Sequence, residues 1–323
     1  MSKIKIATVG PIPRDTIITH KGEVIKKYGC ITHPTIALSK LLGDDGYVFP
    51  VTHINKEDEQ PIKELFEPYP NIKKEGIYTH HDRGTIIELK FLDQNNREEK
   101  QLSKMAPITP QDVKPFLDVD AFVFVPVTDF EIQLETLKYI KENSKALIIF
   151  DAHGPTSRVD ENGNRVRQLW KDKNDWLPYI DVLKMNLEES QFSWCQDEKI
   201  LNNYDDQYTD HLDDFAEYAL SKNVNTLYIT LDSRGCLSYH KENGETRKEF
   251  IKSVWVDNVV DTTGCGDSFA GGLAYGLALY KDRIKAAQYA NLMGALRTQG
   301  TGFDVFKDKE ESDKIIQEYY SST

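Results

Sequence analysis

The stretch DTTGCGDSFAGG runs from Asp261 to Gly272. The segment DSFAGGLAYGLALY that begins within it reads as a helix with Ala270, Ala274 and Ala278 on one face. Ahead of the stretch, SVWVDNVVD reads as a strand. Gly264, Cys265 and Gly266 then form the turn that enters the helix. A helix N-terminus carries unpaired N–H groups and about half a unit of positive charge. Glycines let its backbone come close to an anion. The turn is therefore a place for phosphate, or for charge developing on one. Asp267 stands just past it. A carboxylate there repels a bound phosphate, but it can take the proton of an attacking hydroxyl. The alternative is that Asp267 only caps the helix. Three other glycine-rich motifs fail: GxxxxGK[ST] is absent, Phe269 stands where GxGxxG needs glycine, and there is no protein-kinase catalytic loop.

The rest of the chain limits what such a turn can serve. Its 323 residues are 39% hydrophobic and 28% charged, which suits a packed α/β body and excludes global disorder. A net charge of -12 argues against a nucleic-acid binder, which needs a basic face. Four cysteines, at 30, 195, 236 and 265, show no CxxC or zinc-finger spacing. Scattered thiols suit a reducing compartment. MSKIKIATVG lacks the apolar core of a secretory signal, and no run reaches membrane-spanning length. These features lead us to expect a soluble cytoplasmic protein with no membrane partner.

Along the chain, IKIATVG reads as a first strand, and TIITHKGEVIKKYG as two short strands around Lys21–Gly22. HPTIALSKLL reads as a helix with Pro34 in its first turn, and YVFPVTHI as a strand. GIYTHHDRGTIIELKFLDQNNREEKQL alternates polar and apolar residues, with turn signals at Asp82–Gly84 and Asp93–Asn96. From about Asp118 the pattern changes. AFVFVPV, ALIIFDA, DVLKMN and TLYITLD are nearly continuous apolar runs, as in buried parallel strands. The helices between them include EIQLETLKYIKEN and TDHLDDFAEYALSKN, the latter with Leu212, Phe215, Ala216 and Ala219 on one stripe. VDENGNRV is a turn, and no linker marks a domain boundary.

DTTGCGDSFAGG resembles the signature of the ribokinase-like (PfkB) carbohydrate kinases, DTxGAGD followed by small residues, with Cys265 in place of the usual alanine. The resemblance implies an anion hole from the backbone of Gly264, Cys265 and Gly266, with Asp267 as the catalytic base. It implies that Asp261 and Thr263 help hold a monovalent cation such as K+. Other segments follow in the family's order. TLDSRG (Thr230, Asp232, Gly235) resembles TLGxxG under the ATP phosphates, with Asp232 replacing glycine; alone it would be a turn. NLEE matches NxxE, which implies that Glu189 acts on Mg2+ through water and that Asn186 approaches the phosphates. By itself Asn186 would read as an N-cap. Asp15 sits where the family grips its substrate, and one carboxylate can accept from two neighbouring hydroxyls; a turn aspartate is the other reading. YGCITHPTIALSKL occupies the place of GGxxxN. Gly29 matches it, while Tyr28 and His33 depart, so His33 is a pocket candidate that could equally be structural. FDAHGPTSR resembles DxNxR through Asp151 and, loosely, His153 and Arg158. YANLMGALRTQGTG resembles the late helix near the adenine, with Asn291 as a nucleotide contact.

The resemblance covers nearly the whole chain. It implies a Rossmann-like three-layer α/β sandwich, one kinase domain over 1–323, with a small β-lid from about 14–28 and 76–103. A lid that excludes water suits a kinase. Its edge strands need cover, which leads us to expect a homodimer through the lid; a monomer by light scattering would count against this. The expected activity is ATP- and Mg2+-dependent transfer to an alcohol, foremost a hydroxymethyl group, of a sugar. A nucleoside kinase of the same family is the first alternative. A non-catalytic sensor of sugar or nucleotide is the second, motivated by Asp232 and the altered GG segment. A dinucleotide-dependent dehydrogenase is more distant, since no GxGxxG follows the first strand.

Overall fold

The apolar runs become strands stacked side by side, because runs that are apolar on both faces must be covered on both faces. The computed structural model describes residues 3–92, 97–202 and 204–321. Its strands are β1 (Ile4–Val9), β2 (Arg14–Ile18), β3 (Val24–Tyr28), β4 (Gly46–Asn55), β5 (Ile77–His80), β6 (Ile86–Phe91), β7 (Arg97–Ser103), β8 (Ala121–Phe124), β9 (Leu147–Asp151), β10 (Ser157–Val159), β11 (Arg165–Arg167), β12 (Val182–Asn186), β13 (Thr226–Thr230), β14 (Gly235–Glu242) and β15 (Glu245–Lys252). Its helices are α1 (Thr32–Leu42), α2 (Glu59–Leu65), α3 (Pro110–Val113), α4 (Leu134–Asn143), α5 (Lys173–Trp176), α6 (Leu187–Trp194), α7 (Leu212–Ser221), α8 (Cys265–Tyr280), α9 (Arg283–Arg297) and α10 (Lys309–Tyr320).

Nine strands form the central sheet in the order β15-β14-β13-β12-β9-β8-β1-β4-β5. The pairs from β13 to β5 are parallel, and β13-β14-β15 is an antiparallel edge. Two apolar cores cover its faces. One contains Leu273 and Tyr275 of α8 and Ala286 and Ala290 of α9; the other contains Phe122, Phe150 and Phe215. The layers are helix, sheet and helix, as expected from the sequence. The four apolar runs are β8, β9, β12 and β13. The predicted stripe of α7 is buried at all four positions. No helix among the described residues is long and apolar enough to cross a membrane.

The second sheet has four strands, β3-β2-β6-β7, with β2 and β6 parallel and both outer pairs antiparallel. Its inner face carries Ile17, Ile87 and Leu89. The excursion is thus narrower than 76–103, because β5 leaves it to pair with β4 at the edge of the central sheet. Asp93–Asn96 lies outside the described residues. Val24, Ile25 and Leu102 are exposed on the two outer strands.

One local expectation changes. SVWVDNVVD is not a strand: β15 ends at Lys252, and the segment from 253 to 261 finds no neighbouring strand. It runs as an irregular loop whose last amides, on Val260 and Asp261, donate to the Thr298 carbonyl. On α8, Ala270 and Ala274 are buried as one face, and the closest contact with α9 is made by glycines. A Cβ on Gly272 would lie 2.6 Å from Ala290 Cα, and one on Gly276 would lie 2.3 Å from Ala286 Cα. These positions admit no side chain, so α8 and α9 touch backbone to backbone.

Candidate active site

In an open parallel sheet, ligands gather beyond the carboxyl ends of the strands. Those ends supply most of this site. Asp151 ends β9 with His153 just beyond it, Asn186 ends β12 and Thr230 ends β13, while Asp15 comes from β2 of the small sheet. All of them line one cavity of about 650 Å³. It continues along Asp232, Gly235 and the Gly264–Asp267 turn to Asn291, Gly294, Ala295 and Thr298. The small sheet contributes Ile87 and Leu89. The lining thus includes Asp15, the Gly264–Asp267 turn and Asn291 in one cavity.

Gly264 stands at the N-cap of α8 with φ +82°. Only glycine adopts that conformation readily. A Cβ there would also lie 2.4 Å from the His33 ring. This explains where His33 is. The ring is buried beneath the turn, and its Nδ1 accepts from Arg297 Nε at 3.1 Å. Burial, then the nearby Arg297 and Lys27, keep it neutral by holding its pKa well below the usual value. His33 therefore does not reach the acceptor pocket; it supports the anion turn. Gly29 likewise lies outside the cavity wall, and a Cβ on it would overlap Asp15 Oδ2. It makes room for Asp15 rather than touching a ligand.

Asp267 lies in the first turn of α8 and faces the cavity. Its carboxylate has no hydrogen-bond partner among the described residues, so the capping alternative finds no support. Burial raises its pKa, Glu189 adds to the rise, and Lys184 and His153 oppose it. A raised carboxyl close to an anion turn suits a proton acceptor. Asp15 is 4% exposed and also lacks a hydrogen-bond partner among the described residues. Burial raises its pKa to about 7, against the pull of Lys27 and Arg165. A buried, unpartnered carboxylate on a cavity wall calls for donors from a ligand.

Between these two acids lies a group the sequence analysis passed over. Lys184 Nζ is 2.7 Å from Asp151 Oδ2 and 3.1 Å from where a Cβ on Gly266 would stand. Its ammonium is therefore at the mouth of the anion turn. Burial alone favours the neutral amine, but Asp151 and Glu189 outweigh it and raise the pKa. Asp151 is further held by the His153 N–H at 3.1 Å, so the pair stands ionised.

The hairpin β10-β11 supplies two more cations. Arg165 Nη2 donates to His153 Nε2 at 2.8 Å, which leaves His153 Nδ1–H to donate to Glu189 Oε1 at 2.9 Å. Arg165 also pairs with Glu99 at 3.1 Å, and Arg167 pairs with Glu188. Arg158, the loose match to DxNxR, faces a different cavity. Arg165 and Arg167 take the position instead, from the far strand of the hairpin.

Asn186 and Glu189 form a capping box at α6. Asn186 Oδ1 accepts the Glu189 N–H at 2.7 Å, and Glu189 Oε2 accepts the Asn186 N–H at 2.8 Å. The N-cap reading of Asn186 and the motif reading hold together, since both residues also border the cavity. Burial would raise the Glu189 carboxyl, but His153 and the nearby cations bring it down to about 2. Asp232 has φ +51°, left-handed backbone that Asp tolerates better than most residues. That conformation explains why the family has glycine here. Asn291 borders the cavity, but its Nδ2 is committed to the carbonyls of Ile251 and Lys252. It holds the end of β15, and only its Oδ1 is left for a nucleotide.

The chain is similar to several known proteins. Over 90 residues, 27% of this chain, it is 39% identical to a 2-dehydro-3-deoxygluconokinase of Bacillus subtilis (strain 168). Over 104 residues, 31% of this chain, it is 31% identical to an inositol 3-kinase of Arabidopsis thaliana. The matched stretches span 26% and 28% of those relatives. The fold superimposes with a TM-score of 0.72 on a pyrophosphate-dependent kinase of the ribokinase family, solved with a pyrophosphate analogue and myo-inositol. That match has 20% identity and covers 96% of this chain and 99% of the other. The family model for pfkB family carbohydrate kinases matches residues 72–309, which include Asp151, Lys184, Glu189 and the whole Asp261–Gly272 stretch. The chain belongs to the pfkB family of carbohydrate kinases.

Proposed function

We propose that this protein transfers the γ-phosphoryl group of ATP to a hydroxyl of a neutral polyol or sugar. One observation carries the reading. A single cavity joins buried Asp15 and partly buried Asp267, two carboxylates without a hydrogen-bond partner among the described residues, and the second stands beside a glycine turn at a helix N-terminus. In this reading Asp15 accepts from two acceptor hydroxyls. Asp267 takes the proton of the attacking one. The amides of the Gly264–Gly266 turn and the Lys184 ammonium neutralise charge on the transferring group. The arm past Asp232 to Val259, Asn291 and Thr298 gives an adenosine room.

The described residues hold no cluster of three or more His, Cys, Asp or Glu that could cage a metal. That fits Mg2+, which keeps its waters and binds mainly to donor phosphates. Ionised Glu189, at the cavity wall beside Asn186, would hold those waters. The ion would neutralise phosphate charge.

The acceptor is read as neutral because the cations lining the cavity are already paired: Arg165 with Glu99, Arg167 with Glu188 and Lys184 with Asp151. The carboxylate of a sugar acid would have to compete with those side chains for them. The small sheet closes the acceptor end, so it acts as the lid. The exposed Val24 and Ile25 on its edge support pairing with a second copy.

The experiment is product release from ATP·Mg2+ and from pyrophosphate, against inositols, hexoses, 2-dehydro-3-deoxygluconate and nucleosides. Turnover with a neutral polyol and ATP is expected. Turnover only with nucleosides would make the chain a nucleoside kinase, and preference for the sugar acid would refute the charge argument.

Asp15 also sets a pH dependence. Its ionised form accepts charge-assisted hydrogen bonds at both oxygens, whereas protonation turns one oxygen into a donor, and its pKa in the free protein is about 7. Acceptor affinity should be level above that pH and fall as pH drops through it, by about tenfold per unit. Calorimetric titration of the acceptor across this range checks it. A dissociation constant that stays level down to pH near 5 would remove Asp15 from the grip.

A further inference from the structure

The family resemblance places a monovalent cation beside Asp261, but the oxygens there are already engaged. Asp261 Oδ1 accepts the Thr263 N–H at 2.9 Å. Oδ2 accepts from Lys27 Nζ at 2.8 Å and from Arg297 Nη2 at 3.0 Å. The Thr298 carbonyl takes the amides of Val260 and Asp261, and the Gly300 carbonyl takes Arg297 Nη1. Two fixed cations face one carboxylate, so an added K+ would meet an excess of positive charge at short range. Burial would raise the Asp261 carboxyl, but Lys27 and the Thr263 amide bring it down to about 2. Asp261 and Thr263 therefore do not fit the monovalent-cation role.

We propose that the Lys27 ammonium is a built-in replacement for that cation, so that the protein needs no added K+. Lys27 lies on β3 of the small sheet, where Asp15 on β2 is its cross-strand partner. The contact to Asp261 crosses 234 positions of sequence and reaches the segment leading into Gly264. Asp261 in turn fixes the Thr263 amide, one residue before the anion turn. The same strand pair thus carries the acceptor carboxylate and the charge that orders the phosphate end. Lys27 is a positioning residue: it acts on the Gly264–Gly266 turn through Asp261. Lys27 and Asp261 are partly shielded from water, with side chains 14% and 19% exposed. Their ion pair is accordingly screened less than one on the open surface.

The rate arm of the test rests on the proposed kinase activity, whereas the stability arm does not. Turnover and thermal midpoint are measured in KCl and in choline chloride at equal ionic strength, for wild type, Lys27→Met and Lys27→Arg. The wild type is expected to be equal in both salts by both readouts. Lys27→Met should lose activity in choline and regain about fivefold or more in K+. Its midpoint should rise by a few degrees with K+ alone. Lys27→Arg should behave as wild type. A wild type that slows severalfold without K+, or melts higher only with K+, overturns the proposal. So does a Lys27→Met protein that K+ does not restore. If no acceptor supports turnover, the function reading fails, and the melting curves still decide this one. If Lys27→Met does not fold, the wild type and Lys27→Arg decide it.

Discussion

Asp267→Asn should lower kcat by about 10²–10⁴-fold while both ligands still bind. The substitution keeps the shape of the side chain and removes its ability to take a proton. Asp267 has no hydrogen-bond partner among the described residues to lose, so the fold should not suffer. Asn removes a carboxylate whose pKa burial raises, so the thermal midpoint should hold or rise. Donor affinity should hold or improve, since a negative charge beside phosphate is gone. The measurement pairs single-turnover rates with ligand-induced shifts in melting. A mutant within tenfold of wild type would refute Asp267 as base. Absence of turnover in both proteins, with thermal shifts in both, would favour a sensor.

Lys184→Met is expected to have two separable effects. The first is on stability. It leaves Asp151 buried without its partner, and breaking a buried pair in this way costs about 3–5 kcal/mol. The second is on rate. A preorganised charge at the transferring group is worth about 10²–10³-fold, the scale of an anion-hole donor. Adding Asp151→Asn tells them apart, because it removes the stranded charge. The double variant should regain most of the lost stability in a denaturant melt. It should not regain turnover. Recovery of both would mean that Lys184 only neutralises Asp151.

Lys184 also shows where sequence reading stops. Asp267, Gly264 and Glu189 could be placed because local order carries their position: a turn entering a helix, and an acid one turn beyond its N-cap. The strands β8, β9, β12 and β13 were legible because burial on both faces leaves a continuous apolar run. Lys184 did leave a trace, as a charge inside the apolar run DVLKMN, but that trace names no partner. Arg165 and Arg167 were hidden because a hairpin of two three-residue strands returns them to the site in place of Arg158. His33 was misplaced because its neighbours, Gly264 and Arg297, are more than 200 positions away; Arg297 is 264 residues distant. The segment from 253 to 261 carries strand-like residues, yet a strand requires a neighbour with free backbone groups, and none lies beside it.

The glycine contacts of α8 bear on how such a protein can diverge. Gly272 and Gly276 leave no room for a methyl group against α9, and Gly264 leaves none above His33. Mutations that shift this helix are therefore removed as folding failures before their effect on activity matters. The opposite wall is built differently. Ile87, Leu89, Arg165 and Arg167 come from small strands outside the central sheet and meet the cavity through side chains. Inheritance can thus keep the chemical step intact while the acceptor wall drifts, so chains with one mechanism can come to use different acceptors.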